Sequence, residues 1–412
     1  MRNELTRRRF GLRLLGSAAG VVSAGRMAEA CDVDFSLVIV PDTQYMAFGC
    51  GGALANTMQW IVDNRHADQG GVFTTNIKAV IGVGDLADTA SAPEYLNGTA
   101  AYQKLDQAGI PWINPLGNHD FTGPTTDHLK TGIGYQPGGF FAADQRQTQG
   151  AWSDSSAWGG SYDHLNYWVK LDVGSRKLIL FAIEFQPRAA VLNWAKTIHD
   201  RHPGYECIVS THSFLDNNGA LSIFSGEPGT GTNDNNQAGF STNQSVSDAN
   251  ANSGWSIWNH YLNRWPRLTL VVCGHQYWEP YDPATSWHFQ QVPFASASLA
   301  RQTVQAVFCN YQQMDLPDAA YAGVPGVPTG VYCGGLGASR NYRIGHLMIL
   351  QFRPAIGKLE GYALSTNSRL WEMTRANKNA APFSKPQLLF SVGYTGVPGR
   401  VPPGIAASCR VQ

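Results

Sequence analysis

Five short apolar runs in this chain each end in a side chain that can bind a metal ion. The runs have the length and composition of buried β-strands. The polar residues that follow them are Asp42 with Gln44, then Asp85, then Asn118 with His119 and Asp120, then His212, and finally His275 with Tyr277. Helix-like segments separate several of these strands, and in open α/β sheets ligands bind at the carboxyl ends of the strands. The pattern therefore predicts one site assembled from distant parts of the chain.

The order of predicted elements indicates a mixed α/β (α+β) fold. The strand-like runs FSLVIV, IKAVIGVG and PWINPLG are separated by helix-like segments at about residues 53–64 and 92–109. Such a β-α-β-α-β order implies parallel strands joined by right-handed crossovers. Later, LNYWVKLDVGSRKLILFAIEF predicts a hairpin that turns at Gly174-Ser175, and IGHLMILQFRPAIGKLEGYALS predicts antiparallel strands. Both strand orientations are therefore expected.

Two segments interrupt this regular pattern. Residues 123–160 are rich in Gly, aromatic residues and Gln, and they predict an ordered surface excursion. Residues 216–254 are polar and loop-like, and a loop of that length in a compact domain is usually functional or disordered. We predict one domain over residues 31–370 with loop insertions at these two places, followed by a C-terminal extension over residues 371–412.

Residues 1–30 have the layout of a signal peptide. A basic start precedes an apolar run that ends near Ala24, and small residues at Ala28 and Ala30 suit cleavage. The paired arginines before Phe10 are typical of a twin-arginine export signal, with an ordinary secretory signal as the alternative. The protein is thus expected to be periplasmic or secreted, with the twin-arginine machinery as a partner. No stable membrane span is expected, because no later run approaches about 18 apolar residues.

Charge and cysteine content narrow the possibilities further. Lys plus Arg and Asp plus Glu are both 30, so the net charge is zero and no nucleic-acid polymer is expected as a partner. Cys207 and Cys273 lie in apolar runs and are expected to be buried thiols. The other five cysteines lie in loop-like contexts and are disulfide candidates in an oxidising compartment, namely Cys31, Cys50, Cys309, Cys333 and Cys409.

Taken in order, the strand ends resemble the motifs of the calcineurin-like metallophosphoesterase superfamily. That family's pattern is D-x-H, G-D, G-N-H-D/E, H and G-H-x-H. The chain has Asp42-Thr43-Gln44, Gly84-Asp85, Gly117-Asn118-His119-Asp120, His212 and Gly274-His275-Gln276-Tyr277. The resemblance spans about residues 35–280 and is to an exported bacterial D-x-Q branch. It implies a four-layer α/β/β/α sandwich of two mixed sheets flanked by helices.

The resemblance also implies a site for two metal ions, Zn, Mn or Fe. Asp85 would bridge both ions. Three residues would complete the second ion's ligands, namely Asn118, His212 and His275. The first ion would be held by Asp42 and Gln44, with Tyr277 where the family has a histidine. These donor types suit borderline metals.

Catalysis in this family implies attack by a metal-bound hydroxide on a phosphoryl group. His119 would be the general acid at the leaving oxygen, and Asp120 would orient its imidazole. The alternative for Asp120 is a structural role as a cap or turn acceptor. The expected function is an exported metal-dependent phosphoesterase acting on small phosphomono- or phosphodiesters.

The chain departs from the family at two ligands of the first ion, Gln44 and Tyr277. A neutral amide oxygen is a weaker ligand for a borderline metal than imidazole, and a phenol binds well only when deprotonated. The first metal position should therefore bind its ion more weakly, prefer a harder ion, or be filled differently. A non-catalytic or one-metal binding protein on the same fold remains the alternative function.

Overall fold

The protein is described here from a computed structural model. The residues that it describes are 34–49, 51–66, 75–122, 130–154, 156–216, 218–223, 251–276, 287–294, 303–310, 346–366 and 387–394. The predicted signal peptide, most of the 216–254 segment and Tyr277 lie outside these residues, as do Cys31, Cys50, Cys333 and Cys409.

The described strands form two sheets. They are β1 (Phe35–Val40), β2 (Ile77–Gly82), β3 (Trp112–Ile113), β4 (Trp158–Ser161), β5 (Tyr167–Val173), β6 (Arg176–Ile183), β7 (Glu206–Thr211), β8 (Leu268–Cys273), β9 (Trp287–Pro293), β10 (Thr303–Cys309), β11 (His346–Arg353), β12 (Lys358–Ser365) and β13 (Gln387–Gly393). The first sheet has the order β13-β12-β11-β1-β2-β3, and the second has the order β4-β5-β6-β7-β8-β10-β9.

Six helices lie among the described residues. They are α1 (Gln44–Gly49), α2 (Gly51–Asp63), α3 (Ala92–Gln107), α4 (Ala143–Arg146), α5 (Ala189–Arg201) and α6 (Gly254–Ser256). The last continues into a π-helical turn, Ile257–Tyr261, and a 3-10 turn, Leu262–Arg264. Within the described part of the chain, no helix combines the length and the apolar character needed to cross a membrane.

Both sheets are mixed, as the sequence predicted. In the first sheet β1, β2 and β3 run parallel, while β11, β12 and β13 pair antiparallel with β1 and with one another. In the second sheet the run β6-β7-β8-β10 is parallel, and β4, β5 and β9 are antiparallel additions. The predicted β5–β6 hairpin and the antiparallel β11–β12 pair are confirmed. β13 falls in the predicted C-terminal extension and pairs with β12.

Alternate residues of the second sheet enter two different cores. On β6, Leu178, Leu180 and Ala182 belong to the core that also contains the first sheet's side chains. The intervening Ile179, Phe181 and Ile183 pack with residues of α5 in a second core. This division follows from the two-residue period of a strand. The predicted mixed α/β class with two mixed sheets is confirmed, and a core shared by both sheets is what a sandwich requires.

Two details differ from the sequence predictions. The third strand is only two residues long, because Pro111 and Pro115 flank it and cannot donate backbone hydrogen bonds. Cys309 is a buried free thiol at the end of β10, so the prediction that it is a loop cysteine available for a disulfide was wrong. The predictions for Cys207 and Cys273, both buried free thiols, are confirmed.

The described part of the 123–160 segment is tightly packed. The wholly buried guanidinium of Arg146 donates to both carboxylate oxygens of Asp106, at 2.9 and 3.1 Å. It also lies 3.7 Å from the ring centroid of Trp112, in a cation–π contact. Trp152 donates its indole N–H to the backbone oxygen of Trp112 at 2.7 Å. These contacts attach the excursion to α3 and β3, the elements that precede the strand end carrying Asn118.

Replacing Arg146 with Met should lower the free energy of unfolding by about 3–5 kcal/mol, because Asp106 would lose its buried partner. The matched control is Lys196→Met, which breaks the solvent-exposed pair with Asp200 on α5 and should cost less than about 1 kcal/mol. Urea unfolding of both variants measures the difference. Equal, small losses would show that the Arg146 contact does not hold the excursion in place.

Candidate metal centre

Four predicted ligands from four strand ends meet in one buried cluster. The Nε2 atom of His212 lies 3.1 Å from Oδ2 of Asp85 and 2.9 Å from Oδ1 of Asn118. The Nδ1 atom of His275 lies 2.8 Å from the same Asn118 oxygen and 3.2 Å from His212 Nε2. All four side chains are buried. We call Asp85, Asn118, His212 and His275 the inner cluster.

Unusual backbone conformations bring these side chains together. Asp85 and His275 have φ values of 49° and 79°, in the left-handed region that residues other than glycine rarely adopt. Such conformations cost about 1–3 kcal/mol each and persist where the surrounding structure enforces them. Here the enforcement is close packing: a Cβ atom on Gly117 would lie 2.1 Å from the backbone nitrogen of Asp85. A Cβ on Gly84 would lie 2.7 Å from the His212 ring.

A backbone hydrogen bond sets the orientation of the His212 imidazole. Its Nδ1 lies 2.7 Å from the carbonyl oxygen of Val83, so Nδ1 donates its proton there. In the neutral ring Nε2 is then an acceptor, and it faces the oxygens of Asp85 and Asn118. A second hydrogen bond that fixes the tautomer in this way is typical of metal-ligating histidines.

The electrostatics of the inner cluster favour a cation. Burial alone would lower the pKa of His212, but Asp85 and Asp42 outweigh that effect and raise it to about 9. Burial raises the pKa of Asp85, yet His212 and His119 hold it at about 2. Burial and the charge of His212 together lower the pKa of His275 well below its ordinary range. A proton on His212 therefore places positive charge among the converging acceptors.

Beside the inner cluster lie Asp42 and Gln44, which we call the outer pair. Oδ2 of Asp42 accepts the backbone N–H of His275 at 3.0 Å and the amide of Asn310 at 3.1 Å. Gln44 donates its amide N–H to Oδ1 of Asp88 at 3.2 Å, which fixes the direction of its carbonyl. Asp42 Oδ1 and Gln44 Oε1 are both buried without a hydrogen-bond partner among the described residues. Because buried acceptors are normally paired, two uncommitted oxygens fit a cation.

The donor set of the inner cluster can thus accommodate a metal ion, and a second ion at the outer pair stays a prediction. Asp85, His212 and His275 place one ligand atom each within 4.8 Å of one another, and Asn118 adds an amide oxygen. Mixed imidazole, carboxylate and amide ligands suit Zn, Mn or Fe. The role of Tyr277 stays a prediction, since that residue is outside the described part of the chain.

Asp120 has a different role from the one predicted for its carboxylate. It accepts the backbone N–H groups of Gly117, Ala87 and Leu86 at 3.0, 3.1 and 3.3 Å. It also accepts the hydroxyl of Tyr95 at 3.1 Å. The prediction that Asp120 orients the His119 imidazole was wrong, and the structural alternative describes it better. Asp120 and His119 are successive residues of a 3-10 turn, where side chains point about 120° apart.

His119 is oriented by Asp88 instead. Its Nδ1 lies 2.8 Å from the Asp88 backbone oxygen and 3.5 Å from Oδ1 of the carboxylate. The backbone N–H of His119 donates to Oδ1 of Asp85 at 2.9 Å, which joins this residue to the inner cluster. The His119 side chain is 19% exposed, unlike the ligands beneath it.

Sequence reasoning missed Asn310. It directly follows the apolar strand β10 and so shows the same signal as the other strand ends, a polar residue after a buried strand. It matches no motif, and for that reason the pattern alone did not single it out.

No protein-family model matches this chain. The chain is similar to the uncharacterized protein YvnB of Bacillus subtilis (strain 168), with 23% identity over 201 residues. The similarity covers 48% of this chain and 14% of that protein. The chain therefore spans only a small part of the length of this relative.

Ligation of a metal ion by His212 would have a measurable consequence. His212→Ala should lower the affinity for Zn²⁺ or Mn²⁺ by at least about tenfold, since even substitutions behind a ligand cost that much. The control is His260→Ala, which removes an exposed imidazole from the π-helical turn. Metal content after dialysis against limiting metal gives the result. Equal metal retention in both variants would contradict the inner cluster as a metal site.

The structural role of Asp120 predicts that Asp120→Asn destabilises the protein by about 2 kcal/mol or more, because an amide N–H₂ would face backbone donors that need an acceptor. Asp172→Asn, at an exposed position of β5, should change stability by no more than about 0.5 kcal/mol. Urea unfolding of both variants is the measurement. Unchanged stability in Asp120→Asn would argue against the hydrogen bonds described above.

Proposed function

We propose that this protein is a metal-dependent phosphoesterase that hydrolyses small phosphomono- or phosphodiesters. The observation that carries the proposal is the buried inner cluster with His119, a partly exposed imidazole, joined to Asp85 through its backbone. A metal site with a proton donor at its accessible side is what hydrolysis of a phosphoester requires. The motif order that resembles calcineurin-like metallophosphoesterases supports the same reading.

The inner cluster would hold one ion and the outer pair the other, with Asp85 between them. When bound, such ions supply positive charge that stabilises phosphoryl oxygens and lower the pKa of water toward neutrality. These ions would carry the positive charge that faces the substrate in this proposal.

His119 would give a proton to the leaving oxygen. Its Nδ1 is occupied by the Asp88 carbonyl, which leaves Nε2 as the atom for that transfer. Asp88 holds the ring through its backbone oxygen, its carboxylate lies 3.5 Å from the same Nδ1, and Gln44 in turn donates to that carboxylate. The proton donor and the outer pair are therefore parts of one hydrogen-bonded arrangement.

Export by the twin-arginine machinery to the periplasm or the exterior is part of the proposal. It rests on the sequence of residues 1–30 alone. That route carries proteins already folded, so it is compatible with metal loaded before export.

A binding protein with one or no catalytic metal is the second candidate. The observation in its favour is Gln44, which replaces the family's imidazole with a weaker neutral ligand and commits its N–H to Asp88. A protein used only for binding does not need a proton donor beside its metal. The two candidates therefore differ in whether the protein hydrolyses phosphoesters and whether His119 matters for it.

The test is hydrolysis of p-nitrophenyl phosphate and its bis ester by protein loaded with Zn²⁺, Mn²⁺ or iron. His119→Ala should lower kcat by about 10²- to 10⁴-fold while metal content stays unchanged. His260→Ala, which removes an exposed histidine, should keep full activity. Absence of hydrolysis with every metal, on these esters and on a panel of natural phosphoesters, would leave the binding protein as the better reading.

A further inference from the structure

Asn310 connects the ends of three strands behind the outer pair. It follows β10, it is 3% exposed, and its amide Nδ2 makes two hydrogen bonds. One is to Oδ2 of Asp42, at 3.1 Å, and the other is to the backbone oxygen of Gln276, at 3.0 Å. Asp42 follows β1 and Gln276 follows β8, so a single side-chain amide fixes two segments that are more than 200 residues apart in sequence.

These bonds determine which oxygen of Asp42 remains available. Oδ2 accepts from both Asn310 and the His275 backbone, and it is thereby engaged. Oδ1 is buried with no hydrogen-bond partner among the described residues. Gly274 leaves room beside it, since a Cβ atom there would come within 2.3 Å of Oδ1. The carboxylate is thus held with Oδ2 in two hydrogen bonds, while Oδ1 makes none among the described residues and lies 3.8 Å from Nδ1 of His212.

We propose that Asn310 is a positioning residue for the cation held by the outer pair. It orients Asp42 so that Oδ1 is the ligand atom, and it holds the backbone of Gln276, the residue before Tyr277 in the chain. This inference rests on the two-metal site of the proposed function.

The chemistry of the asparagine side chain suits this role. An amide can donate two hydrogen bonds without carrying charge. An aspartate in its place would have no proton to donate at neutral pH and would set a second negative charge against Asp42. A leucine would keep similar volume but leave Oδ2 of Asp42 and the Gln276 carbonyl each short of a donor.

The experiment compares Mn²⁺ binding by the wild-type chain with that of Asn310→Asp and Asn310→Leu. Free Mn²⁺ is followed by electron paramagnetic resonance, and thermal unfolding of the metal-free proteins is measured in parallel. Asn263→Leu is the matched control, because Asn263 is also buried and donates its amide to a backbone oxygen, that of Asn259, in the helical segment after α6.

We expect two binding sites in the wild-type chain. Each Asn310 variant should weaken one site by about 10- to 100-fold, the range seen when groups behind a metal ligand are removed. The other site should keep its affinity within about threefold, because the hydrogen bonds of Asn310 reach Asp42 and Gln276 rather than the inner cluster's ligand atoms. The Asn263→Leu variant should keep both sites.

Two wild-type sites with unchanged affinities in both Asn310 variants would overturn this inference and leave the proposed function intact. Loss of both sites, or failure of both variants to fold, would assign Asn310 a structural role and overturn it as well. A wild-type chain that binds one Mn²⁺ ion or none would overturn both this inference and the two-metal site. The two failures can be told apart, because failure of the two-metal site shows in the wild-type titration and failure of this inference alone shows only in the variants.

Discussion

The candidate site depends on a concentration of acceptor atoms that water does not reach. His212 Nε2 lies 3.1 Å from Asp85 Oδ2 and 2.9 Å from Asn118 Oδ1, and His212 has already committed its Nδ1 proton to a backbone carbonyl. Without positive charge such an arrangement would be repulsive, because buried charged and polar groups are costly unless they are paired. The raised pKa of His212 is the response of the protein to this arrangement. Metal binding and local stability should therefore be coupled at this site.

Two further carboxylates support the loop that carries Asp85. Asp120 gathers the backbone N–H groups of Leu86 and Ala87, and Glu94 gathers those of residues 88, 89 and 91. Glu94 lies in the first turn of α3, where a carboxylate also interacts favourably with the helix dipole. The loop that follows the strained residue Asp85 is thus held by two buried carboxylates. The rigidity that a metal site needs comes from these buried supports.

The residues at the strand ends could be predicted from the sequence, whereas the roles of the residues that hold them in place could not. Each predicted ligand follows a buried apolar run, and such runs can be recognised in the sequence without a structure. These ligands are Asp42, Asp85, Asn118, His212 and His275. The roles of Asp88 and Asp120 could not be assigned in the same way. Asp88 lies three residues after Asp85, and Asp120 is the last residue of its own motif. Only the structure shows that the backbone oxygen of Asp88 meets the His119 ring while the Asp120 carboxylate accepts backbone amides. Asn310 was missed because it matches no motif, and the buried position of Cys309 was missed because β10 is defined by its pairing with β8.

Gln44 stands where the resembling family has a histidine, and its amide oxygen and amide nitrogen have different surroundings. A decayed ligand would be expected to turn toward solvent or to pair its carbonyl within the protein. Gln44 instead is buried, keeps Oε1 without a hydrogen-bond partner among the described residues, and donates its N–H to the carboxylate beside His119. The Gln44 amide can therefore present its oxygen to a cation while its nitrogen donates to Asp88, the residue that orients His119. Because the oxygen and the nitrogen belong to one planar amide, a movement of Gln44 at the outer pair would also change its hydrogen bond to Asp88. The proposed site is therefore better described as altered than as lost.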